Sequence, residues 1–208
     1  MRVATLFYIH DPMCSWCWGF APTLKKLIAS LPDDIVVRRV LGGLAKDTDA
    51  PMPEAMQTML QNTWRNIEAK IPGTYFNFDF WTQCQPRRST YPSCRAVIAA
   101  RAQGAQFDEL MTHAIQTAYY QQVRNPSDND TLVELANELG LDKGRFKHDL
   151  LSTQTQQKLE TEIELSRELY AESFPSLVLQ RGESTWRIPV DYNDVTPMRK
   201  LINDLCEG

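Results

Sequence analysis

The chain predicts an α/β fold in which one sheet, built in the order βαβ then ββα, is interrupted by an all-helical domain. Three observations carry this. Two apolar runs, Val3–Ile9 and Ile35–Leu41, flank a segment whose apolar residues fall at helical spacing. A strand–turn–strand pattern returns near the C-terminus, at Leu177–Ile188. Between them, from Ala50 to Tyr170, β-branched clusters nearly vanish and Met, Gln, Leu and Ala dominate.

The elements follow in order. Val3–Ile9 is apolar throughout, as in a central strand covered on both faces. Phe20, Leu24, Leu27, Ile28 and Leu31 then recur so that a helix lays one face on that strand. Pro22 lies inside this helix and is expected to kink it. Pro32-Asp33-Asp34 ends it, and Ile35–Leu41 forms a second strand stopped by Gly42-Gly43. Strand, helix, strand is a βαβ unit, with a right-handed crossover expected. In the middle, Pro53–Ile67, Ser93–Gly104, Phe107–Val123, Asp142–Leu151 and Gln154–Tyr170 read as helices. Asp130 is expected to cap one more, which Gly140 stops. Phe76, Phe78, Phe80 and Trp81 form an aromatic cluster expected to pack internally. Leu177–Gln180 and Thr185–Ile188 read as a hairpin, and Pro189 confines its second strand to an edge. Thr196 as N-cap and Pro197 after it open a last helix, whose Met198, Leu201, Ile202 and Leu205 form one stripe. The sheet domain is accordingly assigned to residues 1–49 and 171–208, and the helical insert to 50–170.

Composition narrows the function classes. A net charge of -4 over 208 residues leaves no basic surplus to neutralise phosphates, so nucleic acid is not expected as a partner. No apolar run is long enough to span a bilayer. Met1–Ile9 enters strand-like sequence directly and is broken by His10-Asp11-Pro12, unlike a signal peptide. With the chain taken as complete, the cytoplasm is the expected location and no membrane partner is expected. Five cysteines, at 14, 17, 84, 94 and 206, are an odd number in a chain too large to need staples. Cys84, Cys94 and Cys206 read as small apolar filler.

The stretch His10-Asp11-Pro12-Met13-Cys14-Ser15-Trp16-Cys17-Trp18-Gly19-Phe20 needs another account. Cys14 falls at an exposed helix start, where unpaired backbone N–H groups and the helix dipole favour a thiolate. Cys17 lies one turn on, on the same side, and can close a short disulfide with it. An attacking thiolate beside a resolving thiol makes a thiol–disulfide exchange centre. So small a loop would staple poorly. Zinc is the rival reading, but Cys84 and Cys94 lack knuckle spacing and His10, His113 and His148 are isolated singles. An inert pair of core cysteines is the third. Trp16 is placed at the exposed helix start as a surface platform, and Trp18 in the core.

Cys14-x-x-Cys17 after a buried strand, with Pro22 five residues beyond, resembles the thioredoxin-fold signature. With the helical insert, the chain resembles the DsbA-like thiol oxidoreductases. Tyr91-Pro92-Ser93-Cys94-Arg95-Ala96-Val97, Ala118-Tyr119-Tyr120, Asn125-Pro126-Ser127 and Phe174-Pro175-Ser176-Leu177 resemble their cytoplasmic FrnE-like branch of predicted disulfide isomerases. That resemblance implies a thioredoxin fold and catalytic Cys14 and Cys17. It implies a substrate-binding loop at Phe174 and Pro175, with Pro175 cis; Trp16, from its own place at the helix start, is the further substrate-binding candidate. It implies dithiol or disulfide proteins or small thiols as partners, glutathione among them, with no metal and no organic cofactor. Two departures stand out. Where the family's well-known members bury an acidic residue, six positions before the first cysteine, this chain has Tyr8. Between the cysteines stands Ser15-Trp16 rather than Pro-His, which implies a milder oxidant.

Two further readings stay open. Chromene-carboxylate isomerases and kappa-class glutathione transferases share such an insert, but carry serine at the reactive position and no second cysteine. A non-enzymatic binding module would use the aromatic residues alone.

Overall fold

The computed structural model describes residues 4–207. The first elements are β1 (Ala4–His10), α1 (Ser15–Ala29) and β2 (Ile35–Leu41). The helices that follow are α2 (Glu54–Lys70), α3 (Phe80–Gln83), α4 (Tyr91–Arg101), α5 (Phe107–Tyr120), α6 (Asn129–Glu138), α7 (Lys143–Leu150) and α8 (Thr153–Glu168). Last come β3 (Ser176–Arg181), β4 (Ser184–Ile188) and α9 (Thr196–Glu207). The chain divides into two compact units: one runs up to Gly42 and from Glu162 onward, the other is Gly43–Thr161.

The first unit is a mixed sheet in the order β2-β1-β3-β4. β1 runs parallel to β2, from Ala4 opposite Ile35 to His10 opposite Leu41, and antiparallel to β3. Val3, expected in the first strand, lies outside the described residues. Side-chain alternation along β1 feeds two cores. Leu6 and Tyr8 join Phe20, Leu24 and Leu27 of α1, Leu177 and Leu179 of β3, and Met198 and Ile202 of α9. Phe7 and Ile9 point the other way, to Val40, Val178 and Ala171, with Leu165, Leu169 and Phe174 packed on them. Each such side chain, fully buried, contributes about 1.5–3 kcal/mol. α1 continues through Pro22, which lies on its exposed side. In the hairpin the last pair is Arg181 with Ser184, and Gly182 takes a φ of 63° at the first turn position, as tight hairpins require. Thr196 is the first residue of α9 rather than its cap; its N–H donates to Asp194 Oδ1 at 2.8 Å.

In the second unit α4 is buried on nearly every side, its Ala96, Ala99 and Ala100 letting α5, α6 and α7 pack against it. The aromatic cluster closes around Trp64, whose ring lies 4.9 Å from Phe76 and 4.8 Å from Trp81. Phe80 and Trp81 belong to α3, a short helix the hydrophobic pattern does not announce. The cap of α6 is Asp128, not Asp130: the Asn125 side chain accepts the Ser127 N–H at 3.1 Å and fixes the turn one step earlier. α5 stops at Tyr120, short of Val123, because Val123 takes a left-handed φ of 58°. Ser93 donates to the Pro126 carbonyl at 2.8 Å, so the Tyr91-Pro92-Ser93 and Asn125-Pro126-Ser127 segments brace one another.

Candidate active site

β1 ends at His10, and Asp11-Pro12 turns the chain into α1. The buried Asp11 carboxylate accepts the Met13 N–H at 2.8 Å, and the Asp11 carbonyl accepts the Cys14 N–H at 3.0 Å. This closed turn holds Cys14 extended, at φ -81° and ψ 115°, as the N-cap of α1. The Cys14 sulfur accepts the Cys17 N–H at 3.4 Å, the role usually filled by a Ser or Asp oxygen. Its thiol donates to the Phe174 carbonyl at 3.4 Å. Both cysteines are free thiols.

Cys14 is only 6% exposed, which corrects the expectation of an exposed thiol. The sulfur turns inward to meet the Cys17 amide and the Phe174 carbonyl. Cys17 is 0% exposed on the inner face of α1. Burial pushes the Cys17 thiol well above its ordinary range, and its hydrogen bond to Cys14 pushes the same way. Tyr8 of β1 is buried beside this helix, its ring 6.3 Å from that of Phe20. Burial first, then the charge on Cys17, raises its phenol well above the usual tyrosine range. The two thiols therefore differ: one sits at a helix start with an amide aimed at it, the other in an apolar interior.

Trp16 is half-buried, its ring 5.2 Å from Tyr192, which meets Phe20 edge-on at 5.7 Å. Tyr192 is held by the Thr23 hydroxyl, which donates to its carbonyl at 2.6 Å. Burial, then Cys14, then Cys17 raises the Tyr192 phenol above its ordinary range. Trp18 is half-buried rather than in the core, since the i+1 position beside an inward Cys17 turns to the helix flank. Pro175 is buried, the Phe174–Pro175 bond is cis, and Phe174 is half-buried. The sequence passed over Asp11 and Tyr192. Asp11-Pro12 is itself a turn signal that marks the first, whereas a lone loop tyrosine carries no such mark.

The remaining cysteines have their own places. Cys94 is buried in α4, Cys84 donates to the Val123 carbonyl at 3.3 Å, and Cys206 packs on the α1 side of the sheet. Among the described residues no three His, Cys, Asp or Glu side chains gather as metal ligands would. No helix among them is long and apolar enough to cross a membrane. The second unit holds a polar cavity of about 530 Å³. Its arginines are engaged, Arg95 with Asp47 at 2.6 Å and Arg87 with Asp128 at 2.5 Å.

Known proteins share this architecture. A protein from Nitrosomonas europaea, provisionally assigned as a protein disulfide isomerase, is 25% identical, with 98% of each chain covered and a TM-score of 0.84. The cytosolic disulfide reductase DsbM from Pseudomonas aeruginosa is 23% identical, with 98% of each chain covered and a TM-score of 0.77. Its structure is also known with GSH. Among curated relatives, the ClpXP adapter protein SpxH of Halalkalibacterium halodurans is 26% identical over 177 residues. That match takes in 83% of this chain but only 57% of the relative's length. A family model described as Thioredoxin matches residues 7–196, and the chain accordingly belongs to the thioredoxin family, on a DsbA-type fold.

Proposed function

We propose that this protein is a thiol:disulfide oxidoreductase whose reacting groups are Cys14 and Cys17. The observation that carries the reading is the self-capped start of α1, where the Cys17 N–H points at the Cys14 sulfur across 3.4 Å. In the reducing direction, the Cys14 thiolate attacks one sulfur of a substrate disulfide. That S–S bond breaks, a Cys14–substrate disulfide forms, and the other substrate sulfur leaves and takes up a proton. Cys17 then gives up its proton and attacks the Cys14 sulfur. The second substrate sulfur leaves as a thiol, and Cys14 and Cys17 are joined. Two electrons have passed to the substrate, and two thiols of a reductant such as glutathione restore the pair. Oxidation and isomerisation use the same steps in other orders. Neither a metal nor an organic cofactor enters. The neighbour seen with GSH supports a small thiol as reductant, and its cytosolic setting supports a cytoplasmic location. Trp16, Phe174 and Pro175 are assigned to the substrate-binding rim around Cys14.

The test is turnover of a small aromatic disulfide with excess reduced glutathione. Wild type turns over, Cys14→Ser loses at least a hundredfold, and Cys17→Ser accumulates a mixed disulfide visible by intact mass. Full turnover by Cys14→Ser sinks the reading.

A second reading, an adapter that presents another protein to a protease, is favoured by the SpxH relatives. It requires partner binding that survives in a Cys14→Ser/Cys17→Ser variant. A glutathione-dependent isomerase of the chromene-carboxylate kind is disfavoured, because cysteine rather than serine holds the reactive position and a second cysteine follows.

A further inference from the structure

We propose that Gly42 is a positioning residue for Cys14, acting through the Phe174 ring. The proposal deepens the oxidoreductase reading and rests on it for its functional meaning. Gly42 directly follows β2, and its N–H donates to the His10 carbonyl at 2.8 Å, which fixes it beside the end of β1. Phe174 precedes β3, on the opposite side of β1. Its ring reaches across the end of β1 and lies on Gly42: a Cβ added there would fall among the ring's outer atoms, Cζ and both Cε. Gly42 is absent from the residues with left-handed φ, so another residue could adopt its backbone angles. What it supplies is room. The same Phe174 residue carries the carbonyl that accepts the Cys14 thiol at 3.4 Å. Ring and carbonyl belong to one short segment, so a displaced ring drags the carbonyl from the sulfur. The carbonyl's partial negative charge disfavours a thiolate beside it, so its withdrawal should make Cys14 more reactive.

The experiment compares wild type, Gly42→Ala, Phe174→Leu and the double variant. It measures the rate of Cys14 alkylation by iodoacetamide at pH 6 in the reduced protein, and the Cys14–Cys17 equilibrium in glutathione buffers. Leucine lacks all three ring atoms that the new Cβ would meet, so Phe174→Leu makes room for the added methyl group. Gly42→Ala should raise the alkylation rate at least threefold and shift the glutathione equilibrium by a similar factor. The double variant should return to within twofold of Phe174→Leu alone. Wild-type rates in a folded Gly42→Ala protein overturn the proposal, as does a double variant that keeps the full shift. Should Gly42→Ala fail to fold, folding of the double variant is the expected rescue and its failure the contrary result. Alkylation is read without turnover, so a protein that lacks oxidoreductase activity can still pass this test, and one that has it can still fail.

Discussion

The backbone N–H of Cys17 donates to the sulfur of Cys14 at 3.4 Å, so the residue that opens α1 is also the one proposed to attack. Structure and reactivity thus draw on one hydrogen bond. A serine in place of Cys14 keeps an acceptor at the cap, and an alanine removes it. Reduced Cys14→Ala should be less stable than Cys14→Ser by about 0.5–2 kcal/mol, the usual worth of an N-cap. Urea unfolding of the two variants checks this. Equal midpoints would mean that the cap does not stabilise α1.

Cys17 links stability to pH. Its thiol is raised in the folded state, so below the unfolded value of about 8.5 both states hold the proton and nothing changes with pH. Above that value the unfolded chain releases the proton while the folded one keeps it. Stability therefore falls as pH rises, by up to about 1.4 kcal/mol per pH unit, until the folded thiol also ionises. The reduced wild type should lose stability between pH 8.5 and about 9.5 more steeply than Cys17→Ala. Denaturant midpoints at several pH values in that window decide it; parallel slopes would sink the idea.

Tyr8 stands where the resembled family's well-known members have an acidic residue, and after burial the Cys17 side chain is the next cause that raises its phenol. A hydrogen bond donated by this phenol to a Cys17 thiolate would contribute about 1.5–3 kcal/mol, so Tyr8→Phe should make that thiolate harder to form. The step in which Cys17 releases the mixed disulfide should slow by roughly tenfold or more, while the first attack by Cys14 changes little. Rapid-quench mass spectrometry separates the two steps. An unchanged second step would leave Tyr8 as packing alone.

The sequence announced the sheet through its apolar runs and the cysteine pair through its setting, because both signals are local. A central strand must be apolar on both faces, and Val3–Ile9 could hardly be read otherwise. What escaped notice depends on residues distant in sequence. Gly42 looked like a strand terminator, and only its closeness to Phe174 reveals that it provides space. The inward turn of Cys14 depends on a carbonyl 160 residues away. The shift of the α6 cap from Asp130 to Asp128 follows from Asn125, whose side chain competes for the turn. Helix ends in the insert moved for the same kind of reason, as the left-handed φ of Val123 illustrates.

A sheet with open margins invites another chain to add itself as a strand, the first step of aggregation. β2 forms one margin here, and its last outward amide is already engaged: the Leu41 N–H donates to Glu162 Oε2 at 2.8 Å. β4, the other margin, runs directly into Pro189, which has no N–H to offer. Each border of the sheet is thus closed at one end by a single side chain, and a protein proposed to handle other chains' cysteines gains protection from joining those chains strand to strand.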